Sequence, residues 1–170
     1  MSLLRMVAAF LVVSLALVLQ VSLVPHFAWQ GVVPNLCLLV VVGAALTRGP
    51  QTAVLLGFLA GVALDLAPPA DHLAGRWALS LVVVGYVAGR VRQDVKPTAV
   101  AVVATVAASS FIGTSIFAIT GLVFQDPLLD ISEMLQVILV AVLWDVLLTP
   151  FVLPPVMTMF NRLQHERATT

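Results

Sequence analysis

The 170-residue sequence is 61% hydrophobic and only 9% charged, and its mean hydropathy is +1.12. Soluble domains carry about 25% charged residues, so this composition predicts an integral membrane protein and excludes a water-soluble globular one. The formal net charge is zero and the basic residues are scattered, which argues against a nucleic-acid-binding surface. Because the polar stretches are only loop-sized, we expect residues 1–170 to form a single transmembrane domain.

Six apolar blocks follow one another along the chain, each bounded by proline, glycine or charged residues. A bilayer core about 30 Å thick needs roughly 20 apolar residues of helix. The blocks predict an all-α, polytopic membrane bundle of about six helices, at 6–24, 32–47, 51–67, 75–91, 98–124 and 131–158. The second block is short at 35–47, and Val32, Val33 and Pro34 can extend it because proline is tolerated in the first helical turn. A re-entrant hairpin with Arg48 at its tip is the alternative for blocks two and three.

Both ends of the predicted bundle carry local signals. Arg5 and the apolar stretch behind it resemble a signal peptide, but the stretch continues to Val24 and no small-x-small cleavage site follows. We therefore expect a retained first helix. Near the other end, Asp130 with Glu133 three residues later predicts a capping box that opens the last helix at about Ile131.

The distribution of basic residues predicts the orientation. If the N-terminus is cytoplasmic and all six blocks span, seven of the eight Lys and Arg residues fall on the inner side, and only Arg76 lies outside. This is the skew that the positive-inside rule describes, so we expect both termini in the cytoplasm. The inner set consists of Arg5, Arg48, Arg90, Arg92, Lys96, Arg162 and Arg167.

Glycines at helical spacing mark two neighbouring blocks. Gly57 and Gly61 share one helical face in the third block, and Gly85 and Gly89 share one in the fourth. Small residues four apart let membrane helices approach closely. The repetition predicts that these helices pack against each other or against a partner. A third candidate seam in the fifth block consists of Thr105, Ser109 and Gly113.

Two carboxylates are singled out by their positions. Asp65 ends the glycine stretch, and the charge distribution places it at the outer interface, where its cost is small. Asp145 lies near the middle of the last block, with no base within eleven residues on either side. Such a group is costly in a membrane without a partner. It is either a proton or substrate site, or it forms an interhelical hydrogen bond to Ser, Thr, Gln or Tyr86.

Patterns for catalysis or metal binding are absent from the sequence. Asp71, His72 and Arg76 follow Asp65 on the predicted outer side, and a hydrated loop with an Asp–Arg pair is favoured over a ligand site because the spacing fits no metal motif. The lone Cys37 excludes an intrachain disulfide and is interpreted as a small core residue. The sequence holds no nucleophile elbow and no nucleotide-binding loop. We therefore predict no enzyme activity, no cofactor and no metal.

Several short motifs follow one another in a fixed order: Pro34-Asn35, Arg48-Gly49, the series Gly57, Gly61 and Asp65, then Pro68-Pro69, Gly75, and Tyr86 with Gly89. In their order and spacing these motifs resemble the bacterial rod shape-determining protein MreD family over nearly the whole chain. The family often has an aspartate where Asn35 stands. The resemblance implies a multi-pass protein of the bacterial inner membrane.

The resemblance also implies partners and suggests a rival function. MreD works with the bitopic protein MreC, beside the filament protein MreB, the glycosyltransferase RodA and a class B penicillin-binding protein. A noncatalytic partner of an MreC-like protein is thus the first hypothesis, with a homodimer left open, and residues Gly57, Gly61, Asp65, Gly85, Tyr86, Gly89 and Asp145 as its binding or packing sites. The family is similar in architecture to substrate-binding subunits of energy-coupling-factor transporters, so a vitamin-like solute-binding subunit is the alternative. A proton-coupled carrier using Asp145 is a third.

Overall fold

The computed structural model describes residues 3–29, 31–68, 73–94, 98–124 and 131–165. These residues form six helices, and a short 3-10 turn, Val24–Phe27, follows the first. Apart from one isolated bridge between Trp29 and Val32, the described segments contain no strand pairing. The prediction of an all-α chain is confirmed. The helices are α1 (Leu3–Ser22), α2 (Leu36–Arg48), α3 (Pro50–Leu66), α4 (Arg76–Asp94), α5 (Ala99–Val123) and α6 (Ile131–His165).

The second helix occupies the centre of the bundle. The residues of α2 from Leu36 to Ala45 are all buried, and α2 contacts every other helix. A helix that is apolar all round is expected to be enclosed by protein or lipid on every side. Cys37 is fully buried within it, in agreement with its interpretation as a small core residue.

The start of α2 differs from the sequence prediction. Val32, Val33 and Pro34 do not form its first turn, because Asn35 is the N-cap and its Oδ1 accepts a hydrogen bond from the Leu38 N–H at 2.9 Å. A side-chain cap of this kind ends the preceding irregular backbone and fixes where the helix begins. At 13 residues, α2 is about 20 Å long, shorter than the hydrocarbon core of a bilayer.

The last helix is longer than predicted. The 35-residue α6 continues past position 158 to His165 and includes Pro150, Pro154 and Pro155. Prolines are tolerated in membrane helices where neighbouring groups satisfy the freed backbone. Asp130 and the Glu133 side chain lie outside the residues that the structure describes, so the predicted capping box stays a prediction.

Helix length and hydropathy separate the helices into two groups. Within the described ranges, the segments Ala99–Val123 and Met134–Arg162 are long and apolar enough to cross a membrane. Shorter apolar helical segments comprise Val7–Ser22, Leu36–Arg48 and Pro50–Leu66. The 19-residue α4 carries arginines at both ends, which lower its mean hydropathy.

The third and fourth helices pack antiparallel along their glycines. A Cβ atom added to Gly85 would lie 2.6 Å from the Ala53 carbonyl oxygen, and one added to Gly89 would lie 2.5 Å from the Pro50 Cα. Both are closer than non-bonded atoms approach, so only glycine permits this helix separation. The facing backbone positions are Leu81 for Gly57, Ala78 for Gly61, Ala53 for Gly85 and Pro50 for Gly89.

This geometry predicts a graded response to single methyl groups. Gly57→Ala places a Cβ against the Leu81 backbone, which cannot rotate away, and we expect the melting temperature in detergent to fall by about 5 °C or more. Gly113→Ala is the matched control, since its Cβ would meet side chains of Leu38, Val84 and Ser80 at 3.1–3.2 Å. Those side chains can shift, so a smaller decrease is expected. Equal decreases in a thermal unfolding series would contradict the backbone contact at Gly57.

Candidate functional site

The Asp65 carboxylate lies at the end of α3 and binds the start of α4. Its Oδ2 accepts hydrogen bonds from the Gly75 N–H at 2.8 Å and the Ala78 N–H at 3.0 Å, and its Oδ1 accepts from the Trp77 N–H at 3.1 Å. The first N–H groups of a helix have no partner within the helix. The negative charge also lies at the positive end of the helix dipole. Asp65 is therefore an N-terminal cap supplied by a different helix.

The predicted setting of Asp65 and Arg76 is wrong. Each side chain is only 3% exposed, whereas the sequence predicted a hydrated outer loop where a carboxylate costs little. The charge count could locate Asp65 at one end of the bundle, but it could not show that the next helix folds over it. Asp71 and His72, the other members of the predicted outer cluster, lie outside the described residues.

The Arg76 side chain links α4 to α5. Its Nη2 and Nε donate to the Phe117 carbonyl oxygen at 2.8 and 3.2 Å, and its guanidinium carbon lies 3.9 Å from the centroid of the Phe117 ring. Trp77 stacks on the same ring at 4.3 Å between centroids. One turn further along α4, the Ser80 hydroxyl donates to the Gly113 carbonyl oxygen at 2.6 Å. These contacts hold α4 and α5 together near the start of α4, which is the end that Asp65 caps.

The Asp145 carboxylate connects three elements deep in the bundle. It is 1% exposed. Its Oδ1 accepts from the Asn35 backbone N–H at 2.8 Å, and its Oδ2 accepts from the Ser110 hydroxyl of α5 at 2.6 Å. The Thr149 hydroxyl donates to the Asp145 carbonyl oxygen at 2.8 Å. Of the two alternatives for Asp145, a proton or substrate site and an interhelical hydrogen bond, the structure contains the second, with Ser110 as the donor.

The N-terminus of α2 receives acceptors from three sources. Asp145 accepts from the Asn35 N–H, the Asn35 side chain accepts from the Leu38 N–H, and Gln20 Oε1 of α1 accepts from the Cys37 N–H at 3.3 Å. The sequence alone singles out neither Gln20 nor Ser110, because a single polar residue in an apolar helix has no local signature. Asn35 directly before an apolar run was the available signal for the cap.

Tyr86 does not bind Asp145. Its side chain is 49% exposed, and its hydroxyl accepts from Nε and Nη2 of Arg90, both at 3.3 Å. The Arg90 guanidinium carbon lies 5.5 Å from the Tyr86 ring centroid. Tyr86 therefore belongs to the surface of α4, in contrast to the buried glycines on either side of it in sequence.

Three apolar grooves open at the surface of the described part of the bundle. The largest, about 520 Å³, runs between α1 and α3. A groove of about 320 Å³ is lined by α1, α2 and α6, and one of about 230 Å³ by α4 and α5. Hydroxyl side chains are the only polar groups in these linings, at Ser14, Thr52, Thr105 and Ser109.

The two buried carboxylates that the structure describes are therefore engaged by donors of the chain itself. Both buried carboxylates accept hydrogen bonds from helix starts, and no cluster of three His, Cys, Asp or Glu residues suited to a metal occurs in the described ranges. These features define a class of protein, an apolar helical bundle whose interior charges hold helices in place.

The family follows from comparison with known sequences. The model of the rod shape-determining protein MreD family matches residues 1–162 of the 170. The chain belongs to this family, so it is a bacterial membrane component of the machinery that determines rod shape. The resemblance drawn from the short motifs is confirmed. Comparison with curated proteins and with solved structures gives no match.

The Asp65 cap predicts a large loss of stability on neutralisation. Asp65→Asn replaces one carboxylate oxygen by an NH₂ group that faces backbone donors. Hydrogen bonds to charged groups contribute about 1.5–3 kcal/mol each, so we expect the free energy of unfolding to fall by about 3 kcal/mol. Leu66→Ala is the control, because Leu66 is the next residue and is 70% exposed. Denaturant unfolding in detergent measures both, and an Asp65→Asn variant as stable as the control would contradict the cap.

The Asp145 site predicts a different pattern. Asp145→Asn keeps an oxygen for the Asn35 N–H, and its NH₂ group can donate to the Ser110 oxygen, so we expect a change of about 1 kcal/mol or less in stability. Asp145→Leu leaves both donors buried without acceptors and should cost about 3 kcal/mol or more.

Restoration of rod shape by a variant distinguishes a structural role of Asp145 from a role in proton transport. We expect Asp145→Asn to restore rod shape in cells that lack the chromosomal copy. A variant that is folded and inserted but gives round cells would support the carrier hypothesis instead.

Proposed function

We propose that this protein is a noncatalytic, multi-pass component of the cell-elongation complex in the bacterial cytoplasmic membrane, where it binds an MreC-like bitopic protein and helps organise peptidoglycan synthesis. The observation that carries the proposal is the family match over residues 1–162. The interior hydrogen bonds support it, since the two buried carboxylates are engaged by backbone and serine donors of the chain itself.

A six-span arrangement with both termini in the cytoplasm fits the ends of the helices. Arg48 ends α2, and Arg92 lies in the last turn of α4. Arg162 lies near the end of α6. These three helices run in the same direction in an alternating bundle, so their basic ends face one side, as the positive-inside rule requires of cytoplasmic ends. The 13-residue α2 needs the preceding segment to complete a crossing.

The partner helix must use a surface other than the glycine faces. Gly57, Gly61, Gly85 and Gly89 face the backbone of the neighbouring helix within the chain, so the seams that the sequence offered to a partner are already filled. We place the MreC-like transmembrane helix in the α1–α3 groove. This groove is the largest of the three, and its lining extends from Val7 to Leu17 on α1 and from Thr52 to Ala63 on α3.

The dimensions and chemistry of that groove support a helix as its occupant. Each lining segment is about 15 Å long at 1.5 Å per residue, which is three turns of helix. Ala9, Ser14 and Ala63 in the lining are small, and small residues at membrane helix interfaces permit close approach. A RodA-like glycosyltransferase and a class B penicillin-binding protein belong to the same proposed complex.

Among the described residues, no specific observation favours the rival function as a vitamin-binding subunit. Polar ligands are oriented by a few convergent polar groups within a pocket. The α1–α3 groove offers only the hydroxyls of Ser14 and Thr52, and the groove between α1 and α6 offers no polar side chain.

Filling the α1–α3 groove tests the proposed partner surface. Ser14→Phe occupies the groove from a half-buried position, and we expect it to reduce recovery of the MreC-like protein severalfold in a membrane pull-down. Leu143→Phe is the matched control, since Leu143 is 53% exposed on α6 and lies in none of the three groove linings. Both variants should insert and fold like the parent. Unchanged recovery with Ser14→Phe, or equal loss with both, would contradict this surface; the same assay with two tags tests a homodimer.

A further inference from the structure

The α4–α5 groove lies towards the end of α4 and the start of α5, because the small side chains there leave space between the two helices. Near their other end, these helices are held together by the Ser80–Gly113 hydrogen bond and by the stacked rings of Trp77 and Phe117. Towards the end of α4 and the start of α5, valines of α4 face small residues of α5, and a cavity of about 230 Å³ remains. Its lining consists of Val87, Ala88, Val91, Ala101, Ala104, Thr105, Ala108 and Ser109.

The chemistry of this groove suits a hydrocarbon chain. Ala104 and Ala108 on its α5 wall are exposed at the bundle surface, so the groove is open to the surroundings. The Thr105 hydroxyl donates to the Ala101 carbonyl oxygen at 2.7 Å, which satisfies that donor within the helix. With its donor occupied, the wall presents mainly methyl and methylene groups.

An arginine stands beside the groove where a lipid headgroup would lie. Arg90 is exposed and lies three residues after Val87, which lines the groove. Residues three apart on a helix are surface neighbours. The Arg90 guanidinium bonds to the Tyr86 hydroxyl, and among the side chains that the structure describes it has no acidic partner. A planar guanidinium with free donors is well suited to a phosphate diester.

We propose that the α4–α5 groove with Arg90 binds an anionic phospholipid such as phosphatidylglycerol, one acyl chain lying against Val87, Val91 and Ala104 and the phosphate on the Arg90 guanidinium. The Tyr86 hydroxyl positions that guanidinium by accepting hydrogen bonds from its Nε and Nη2. Anionic lipids are abundant in the cytoplasmic leaflet, towards which the end of α4 points in the proposed orientation. The lipid site rests on that membrane placement and is independent of the protein partner.

Arg92 provides a matched control for simple charge attraction. It is also exposed in the last turn of α4, but its Nη1 lies 3.5 Å from the position of a Cβ on Gly49, beside the turn between α2 and α3. Arg90→Gln and Arg92→Gln remove the same charge from the same end of the same helix. Arg92 follows the lining residue Ala88 by four positions, so the two arginines differ in where the guanidinium lies, beside Tyr86 for Arg90 and beside Gly49 for Arg92.

Native mass spectrometry of the purified chain, without any partner protein, tests the site. The protein is released from nanodiscs containing equal amounts of phosphatidylglycerol and phosphatidylcholine, and retained lipids are counted. A hydrogen bond to a charged group contributes a factor of about ten or more in binding. We expect the parent to retain phosphatidylglycerol in preference, Arg90→Gln to lower that retention about tenfold, and Arg92→Gln, which removes only general charge attraction, to lower it by a clearly smaller factor of about five or less.

A groove-filling variant tests the acyl chain separately. Ala104→Phe fills the cavity from an exposed position without changing the charge, and it should lower phosphatidylglycerol retention while the melting temperature stays near that of the parent. Equal losses in the two arginine variants would reduce the effect to general charge attraction and overturn the site. Full retention in Ala104→Phe would overturn the role of the groove. Neither result bears on recovery of the MreC-like protein, which tests the proposed function.

Discussion

The first backbone N–H groups of a helix need acceptors, and this requirement explains Asp65 and Asp145, the two buried carboxylates among the described residues. Water satisfies such groups at the surface of a soluble protein, but inside an apolar bundle the acceptors must come from the chain. Asp65 accepts from three N–H groups at the start of α4, and Asp145 accepts from Asn35 at the start of α2. In both cases a carboxylate acceptor for the helix start comes from a different helix, so the hydrogen bonding of the helix start and the tertiary packing are the same interaction.

The same constraint accounts for the close pairing of α3 and α4. The Asp65 side chain reaches the Ala78 N–H only because Gly61 allows the two backbones to approach at that level. Further along, Gly57, Gly85 and Gly89 keep the helices at this separation. The glycines and the carboxylate of the central stretch therefore form one structural unit. Because this unit is internal, contacts with other molecules fall to the outer faces of the bundle.

The sequence predicted the class of the fold and the pairing of two helices, for physical reasons that are local. Six apolar blocks with proline and glycine boundaries were enough to predict six helices, and glycine pairs on consecutive helices predicted close packing. Whether a glycine face packs against a helix of the same chain or against a partner depends on the whole bundle. Here the glycine faces of α3 and α4 pack against each other.

The depth and partners of single side chains were beyond such local reasoning. Charge counting orders residues along the membrane normal but says nothing about the distance from the bundle axis, so Asp65 was placed at the surface although it is buried. Tyr86 was a candidate partner for Asp145 by composition alone, yet its position on α4 points it outward to Arg90. Ser110 and Gln20 are identified only by their contacts with other helices, Ser110 with Asp145 of α6 and Gln20 with the start of α2.

A bundle whose described buried carboxylates are engaged in holding helices together fits a protein that acts by binding others in the membrane. The family match places the chain in the rod-shape machinery, and the outer surface offers grooves of different character. The α1–α3 groove is long and is lined by residues from two helices, whereas the α4–α5 groove is small and has an arginine beside it. We assign the first to a partner helix and the second to a lipid.

Site-specific photocrosslinking in growing cells tests the division between interior and outer surface most directly. A photoreactive residue at Phe10, which is 70% exposed and lines the α1–α3 groove, should crosslink to the MreC-like protein. The same residue at Phe111 on α5, 48% exposed and outside all three groove linings, should not. Crosslinking at Phe111 with none at Phe10 would contradict the assignment of the partner helix to the α1–α3 groove.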